Sequence, residues 1–175
     1  MGTFLWIIGI GFVVFIIYAA CNSKKWSEES QKYFTEKYAK QGKKYVAHYY
    51  GSTHKIKYIS GFKDKGVCDI YSITLTDKDI EIEFEDKVKK TYEERFVLKE
   101  NIKDIYISSE YELKEKISAG KIMVFGLMGL GMTRKEEEIK EYIVIECKYE
   151  NYNTALVLKQ NGLNGIVKDM RELYL

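Results

Sequence analysis

The sequence predicts a mainly β domain of about 130 residues, preceded by a hydrophobic helix and a connector helix. Three observations lead there. Between residues 54 and 160, β-branched and tyrosine-rich runs alternate with turn residues, the pattern of antiparallel strands. Proline is absent and 15 tyrosines are present, which suits ordered strands rather than disordered spacers. Thr3 to Ala20 reads TFLWIIGIGFVVFIIYAA, without one charged residue.

That apolar stretch is long enough to span a bilayer: at about 1.5 Å rise per residue it covers about 27 Å. Apolar side chains surround the whole helix and leave no polar face, which excludes a surface helix. Trp6 and Tyr18 stand near its two ends, where interfacial aromatics belong. The expected organisation is a transmembrane anchor over 3–22, a juxtamembrane connector helix over 23–45 and a β domain over 46–175. Lys24 and Lys25 follow the anchor and no lysine precedes it. The positive-inside rule therefore makes this a single-pass protein of the cell membrane with its C-terminal domain cytoplasmic. The alternative is a lipoprotein signal, because Tyr18-Ala19-Ala20-Cys21 places small residues before a cysteine. Acylation at Cys21 would put the domain outside, where Cys68 and Cys147 would be candidates for a disulfide. Met1-Gly2-Thr3 carries no side-chain charge, so the basic start of a secretory signal is missing.

The connector, SEESQKYFTEKYAKQ (27–41), reads as a helix with Ser27 as N-cap, Glu28 and Glu29 in the first turn and Gly42 at C′. Trp26, Phe34, Tyr38 and Tyr45 fall roughly on one side. HKIKYISGF (54–62) alternates as a strand, and Lys63-Asp64-Lys65-Gly66 turns the chain. VCDIYSITLT (67–76) and DIEIEFED (79–86) flank Thr76-Asp77-Lys78 as a hairpin. In its second arm Ile80, Ile82 and Phe84 oppose Glu81, Glu83 and Glu85, which predicts one wet face. TYEERFVL (91–98), IKDIYIS (102–108), EYIVIECKY (141–149) and NTALVLKQ (153–160) are further strands. NGLNGIVKDMREL (161–173) is a terminal helix with Asn164 as N-cap and an apolar stripe of Ile166, Val167, Met170, Leu173 and Tyr174.

The chemistry is sparse. Lysine and arginine number 28 against 26 aspartate and glutamate, which excludes a polyanion binder by bulk charge and with it a nucleic-acid partner. Cys21, Cys68 and Cys147 lack metal-ligand spacing, so no metal is expected. Gly126, Gly129 and Gly131 do not fit the dinucleotide fingerprint, and no Gly-Lys-Ser/Thr follows them. No cofactor is therefore expected. A G-x-S-x-G elbow is absent, His48 and His54 have no obvious partner, and no residue is assigned a catalytic role. An enzyme is not expected.

The succession CDIYSITLTDKDIEIEF, RFVLKENIKDIYI, the glycine-rich FGLMGLG, EYIVIECKY and the final helix resembles bacterial pleckstrin-homology-like (GRAM-like) domains of Firmicutes proteins, over about residues 54–174. The resemblance implies a seven-stranded barrel or sandwich of two near-orthogonal sheets, closed by the C-terminal helix. It implies a binding module for a lipid or protein partner, with no shared catalytic residues. Phosphoinositide-binding members use a basic first hairpin. Lys55, Lys57, Lys63 and Lys65 stand there, without arginine, and join Lys24 and Lys25 as candidate contacts to anionic headgroups.

The segment 117–132, ISAGKIMVFGLMGLGM, has two open assignments. Its Met123, Phe125, Leu127, Met128 and Leu130 either touch the membrane as an exposed apolar loop or close the end of the barrel. A scaffold acting through oligomerisation is the alternative to a binding module.

Overall fold

The computed structural model describes residues 23, 25–86, 89–120, 123, 141–159 and 164–175. The expected anchor, Lys24, Phe125, Leu127, Met128 and Leu130 lie outside the described residues. Among those described, no helix is long and apolar enough to cross a membrane. The chain divides into two compact units, Met1–Lys44 and Tyr45–Leu175.

In the first unit, helix α1 covers 25–39. Residue 23 is already helical, so Ser27 lies inside the helix and does not cap it as expected. The other end is closed by Gly42 at φ 68°. There the Lys43 N–H donates to the Tyr38 carbonyl and the Gly42 N–H to that of Ala39. This paired closure needs a left-handed residue, which glycine supplies without strain.

The second unit is an antiparallel sheet of eight strands with a C-terminal helix. The strands are β1 (Tyr45–Tyr50), β2 (Lys57–Ser60), β3 (Cys68–Thr76), β4 (Asp79–Asp86), β5 (Thr91–Leu98), β6 (Ile102–Ser109), β7 (Glu141–Tyr149) and β8 (Tyr152–Lys159). Short helix α2 (Gly51–His54) joins β1 to β2, α3 (Glu110–Ser118) follows β6, and α4 (Asn164–Tyr174) ends the chain. Hydrogen bonding runs β5-β4-β3-β2-β8-β7-β6, with β1 attached to β3.

Strand β3 is the joint between two half-sheets. Its first residues, Cys68 and Asp69, pair with Tyr58 and Lys57 of β2, while Ser72 to Thr76 pair with β1. Pairing of β3 with β4 begins only at Ile70↔Phe84. Among the described residues the expected seven strands are eight, because Tyr45–Tyr50, where no element was expected, is also a strand. The expected closure is also absent among the described residues: β5 and β6, consecutive in the chain, are the two ends of the path. A 3-10 turn, Lys99–Asn101, leads from one to the other in place of a hairpin.

The main core lies on the inner face of both half-sheets. It gathers Tyr58, Ile73, Leu75, Ile80, Ile82, Phe84, Val97, Ile105, Ile143, Ile145, Leu156 and Leu158 around Ile166, Val167 and Met170 of α4. A second cluster, Ile59, Tyr142, Val144, Ala155 and Val157, lies on the other face of the β7–β8 half-sheet with Leu113 of α3. Strands β7 and β8 are therefore apolar on both faces, which is why they read as unbroken hydrophobic runs. The expected wet face of β4 is only partly wet. Glu85 is exposed, but Glu81 is 3 % exposed, flanked by Thr74 on β3 and Phe96 on β5.

Candidate functional site

The turn between β2 and β3 sets the position of the lysines. Gly61 sits at φ 132°, and a Cβ there would stand 2.8 Å from the Leu156 Cα. Only glycine lets the chain pass this close to β8 and turn. The Thr154 hydroxyl donates to the Gly61 carbonyl at 2.8 Å and fixes the approach. Phe62 then enters the core, within ring-contact range of Tyr58, Phe84 and Tyr149.

The four candidate lysines of this region part company. Lys63 leaves the group, its Nζ 4.1 Å from the centre of the Tyr152 ring. Lys55, Lys57 and Lys65 line one cleft of about 840 Å³, together with Asp69, Glu85, Asp86 and Glu93. The cleft opens where the half-sheets part, between the start of β3 and the end of β4. Its apolar floor includes Ile56, Ile70 and Phe84.

Three lysines thus face four carboxylates, and most of the positive charge is already engaged. Lys65 Nζ lies 2.6 Å from Glu93 Oε2 and 4.1 Å from the centre of the Phe84 ring. Lys57 Nζ lies 3.6 Å from Asp69 Oδ1 across the β2–β3 pair. Lys25 of the connector is 4.0 Å from Glu29, an exposed pair one helical turn apart. The Lys57 and Lys65 pairings leave the cleft mixed in charge rather than basic.

Beside the cleft, Arg95 of β5 holds the lysine turn in place. Its Nη2 is 2.6 Å from Asp64 Oδ2, its Nε donates to Glu93 at 2.7 Å, and its guanidinium lies 5.7 Å from the centre of the Phe62 ring. Burial works against the Arg95 charge, yet hydrogen bonds with Tyr149, Glu93 and Asp64 outweigh it and raise the pKa. The hydrogen bond from Lys65 is the largest of the causes that hold the Glu93 carboxyl below its usual range, and the one from Arg95 does the same for Asp64. The ring of Tyr71, which lines the cleft, meets that of Tyr92 at 4.7 Å between centres. Asp69, Tyr71, Glu93 and Arg95 were not singled out from the sequence. Glu93 and Arg95 stand two apart in a strand and so share a face, which was the available signal.

No protein-family model, curated protein or solved structure matches this chain.

Other reactive groups are dispersed. Cys68 and Cys147 are free thiols, the second buried and pushed up to about 12 by desolvation. His48 Nδ1 is 2.8 Å from the Thr74 hydroxyl, and the His54 ring packs on Tyr49. Carboxylate oxygens of Glu81, Glu83 and Glu94 lie within 4.8 Å of one another, the one group among the described residues with metal-ligand proximity. Ser72 donates a hydrogen bond to Glu83 within it. Oxygen donors of this kind suit a hard cation, but clustered acids on neighbouring strands do not by themselves make a site. Of the five candidate membrane residues only Met123 is described. It is 58 % exposed, and its carbonyl accepts from the Ala155 N–H at 2.9 Å. Ile117, where that segment begins, belongs to the last turn of α3 and packs on the second cluster.

Proposed function

We propose that this chain is a single-pass, membrane-tethered module of pleckstrin-homology-like type that recognises a protein segment at the cytoplasmic face, without catalysis. The apolar stretch from Thr3 to Ala20 and the lysines behind it support the tether and its orientation. Two antiparallel half-sheets with α4 on their inner face support the type of domain.

The choice of protein over lipid rests on one observation, the engagement of the cleft lysines by acids. An anionic headgroup entering the cleft meets four carboxylates and must displace Glu93 from Lys65 and Asp69 from Lys57. A peptide brings both charges and apolar side chains, and the cleft offers both signs, an apolar floor and the Tyr71 ring.

The test is photo-cross-linking in intact cells, with a photoreactive residue at exposed Ser52 or Tyr71 on the cleft wall. The expected result is a discrete protein adduct recovered in the membrane fraction. Adducts confined to lipid, or full-length chain in the soluble fraction, would sink the proposal.

A further inference from the structure

Most of the charged side chains that line the cleft are engaged within the chain. Lys65 pairs with Glu93 at 2.6 Å and Lys57 with Asp69 at 3.6 Å. Asp86 accepts from the Lys89 N–H at 3.0 Å and lies 3.9 Å from the Lys89 Nζ. Lys55 and Glu85 differ. Both are exposed, and among the described residues neither has an ion pair.

Strand order sets these two charges on opposite sides of the cleft, because β3 lies between β2 and β4. Lys55 stands two positions before Lys57 of β2, so the cation belongs to the β2 side. Glu85 stands near the end of β4, opposite Tyr92 of β5. Residues directly opposite in an antiparallel pair share a face, so the Glu85 carboxylate and the Tyr92 ring are neighbours. The Tyr71 ring, which lines the cleft, packs on Tyr92 with 4.7 Å between centres. A carboxylate beside tyrosine rings attracts a cation twice, by its charge and by the negative ring faces. Between the two sides runs the apolar floor of Ile56, Ile70 and Phe84.

We propose, resting on the cleft's role as a peptide site, that it selects its partner by the order of charge. The segment it takes carries an acidic side chain for Lys55, apolar side chains over the floor, and a lysine or arginine at Glu85 and Tyr71. Neither the Lys65–Glu93 pair nor the Lys57–Asp69 pair has to open to admit such a segment. A segment of one sign leaves Lys55 or Glu85 without a partner and sets a like charge beside it, which discriminates against it.

The experiment selects random peptides displayed on phage against the full chain in lipid nanodiscs, after counter-selection on empty nanodiscs. Three proteins are used: the parent, the double variant Lys55→Glu with Glu85→Lys, and Lys78→Glu, which lies at the far end of β4 from Glu85. Far-ultraviolet spectra and thermal melts check that each is folded. Peptides selected by the parent are expected to hold an acid and a base on either side of an apolar centre, in one preferred order. The double variant is expected to select the reverse order, and Lys78→Glu the parental one. A synthetic peptide of the parental order is expected to bind the double variant about tenfold more weakly than the parent. Its charge-exchanged counterpart is expected to show the opposite preference. If the double variant is not folded, Lys55→Gln and Glu85→Gln take its place, each expected to relax the choice of charge at one end only. Peptides without a charge order, or one order shared by the parent and the double variant, overturn the proposal and leave the peptide site standing. A changed order in Lys78→Glu overturns it too, since bulk charge then decides. A parent that enriches no peptide overturns the peptide site itself.

Discussion

Arg95 shows how one side chain holds three parts of the molecule together. It reaches Glu93 on its own strand, Asp64 in the β2–β3 turn and the Tyr149 hydroxyl at the end of β7. Replacing it by methionine keeps contact with Phe62 but removes every one of those charge-assisted bonds. Asp64 and Glu93 are well exposed, so screening limits the loss to about 1 kcal/mol at pH 7. The pH dependence is more telling than the magnitude. Glu93 and Asp64 titrate below their ordinary values of 4.5 and 3.8, so folding is favoured while they stay ionised. That contribution is complete above about pH 5 and disappears as the pH falls through the lowered values. Urea denaturation of Arg95→Met from pH 7 to pH 3 is expected to show a smaller acid loss than the parent chain. Parallel curves would mean that the guanidinium does not set these pKa values. Beyond Glu93 and Arg95 on one strand, these pairs were not legible in the sequence, because Asp64 and Arg95 are 31 positions apart and Lys65 and Glu93 are 28 apart. The lysines were found by their charge, and the acids that engage them only by the fold.

Helix α3 is the element that the strand pattern concealed. Ser109 accepts from the Glu112 N–H while the Glu112 carboxylate accepts from the Ser109 N–H, a complete capping box. Ser-x-x-Glu therefore stood in the sequence as a start signal, masked by the polar Glu-Tyr-Glu-Leu-Lys-Glu-Lys run behind it. Only Leu113 and Ile117 turn inward, so the apolar stripe is narrow. Strand β1 was hidden for a related reason, since Tyr45–Tyr50 alternates weakly in burial and starts only six residues after the helix ends. By contrast β3, β4, β7 and β8 were readable from regular alternation or from long apolar runs. Ser109→Ala is expected to cost about 1 kcal/mol through the lost cap. Leu113→Ala, fully buried in the second cluster, is expected to cost about 2–4 kcal/mol. Thermal melts of the two variants test the ranking. An equal or reversed order would show that α3 does not depend on its seat against β7 and β8.

Across the whole domain, the issue is whether two half-sheets joined by so little backbone unfold as one. The direct link is Lys57↔Asp69 and Tyr58↔Cys68, and an exposed ion pair adds little to it. The main core argues for one unit, because α4 packs within a cluster drawn from both halves. Tyr174 strengthens this at the helix end, where its hydroxyl donates to the carbonyls of Thr76 and Asp79 in the β3–β4 hairpin. On the other flank the Tyr49 hydroxyl of β1 donates to Asp169 of α4. The helix therefore acts as the shared wall of the domain, and damage to it should be felt equally on both sides. Met170→Ala is the direct probe, since Met170 is fully buried midway along α4. The expected cost is about 2–4 kcal/mol. In native-state hydrogen exchange, the slowest amides of β4 and of β7 are expected to lose the same free energy of protection, because both report one global opening. If β7 and β8 lose protection while β4 keeps it, the half-sheets are separate folding units. In that case the cleft between them is a boundary between independently opening parts.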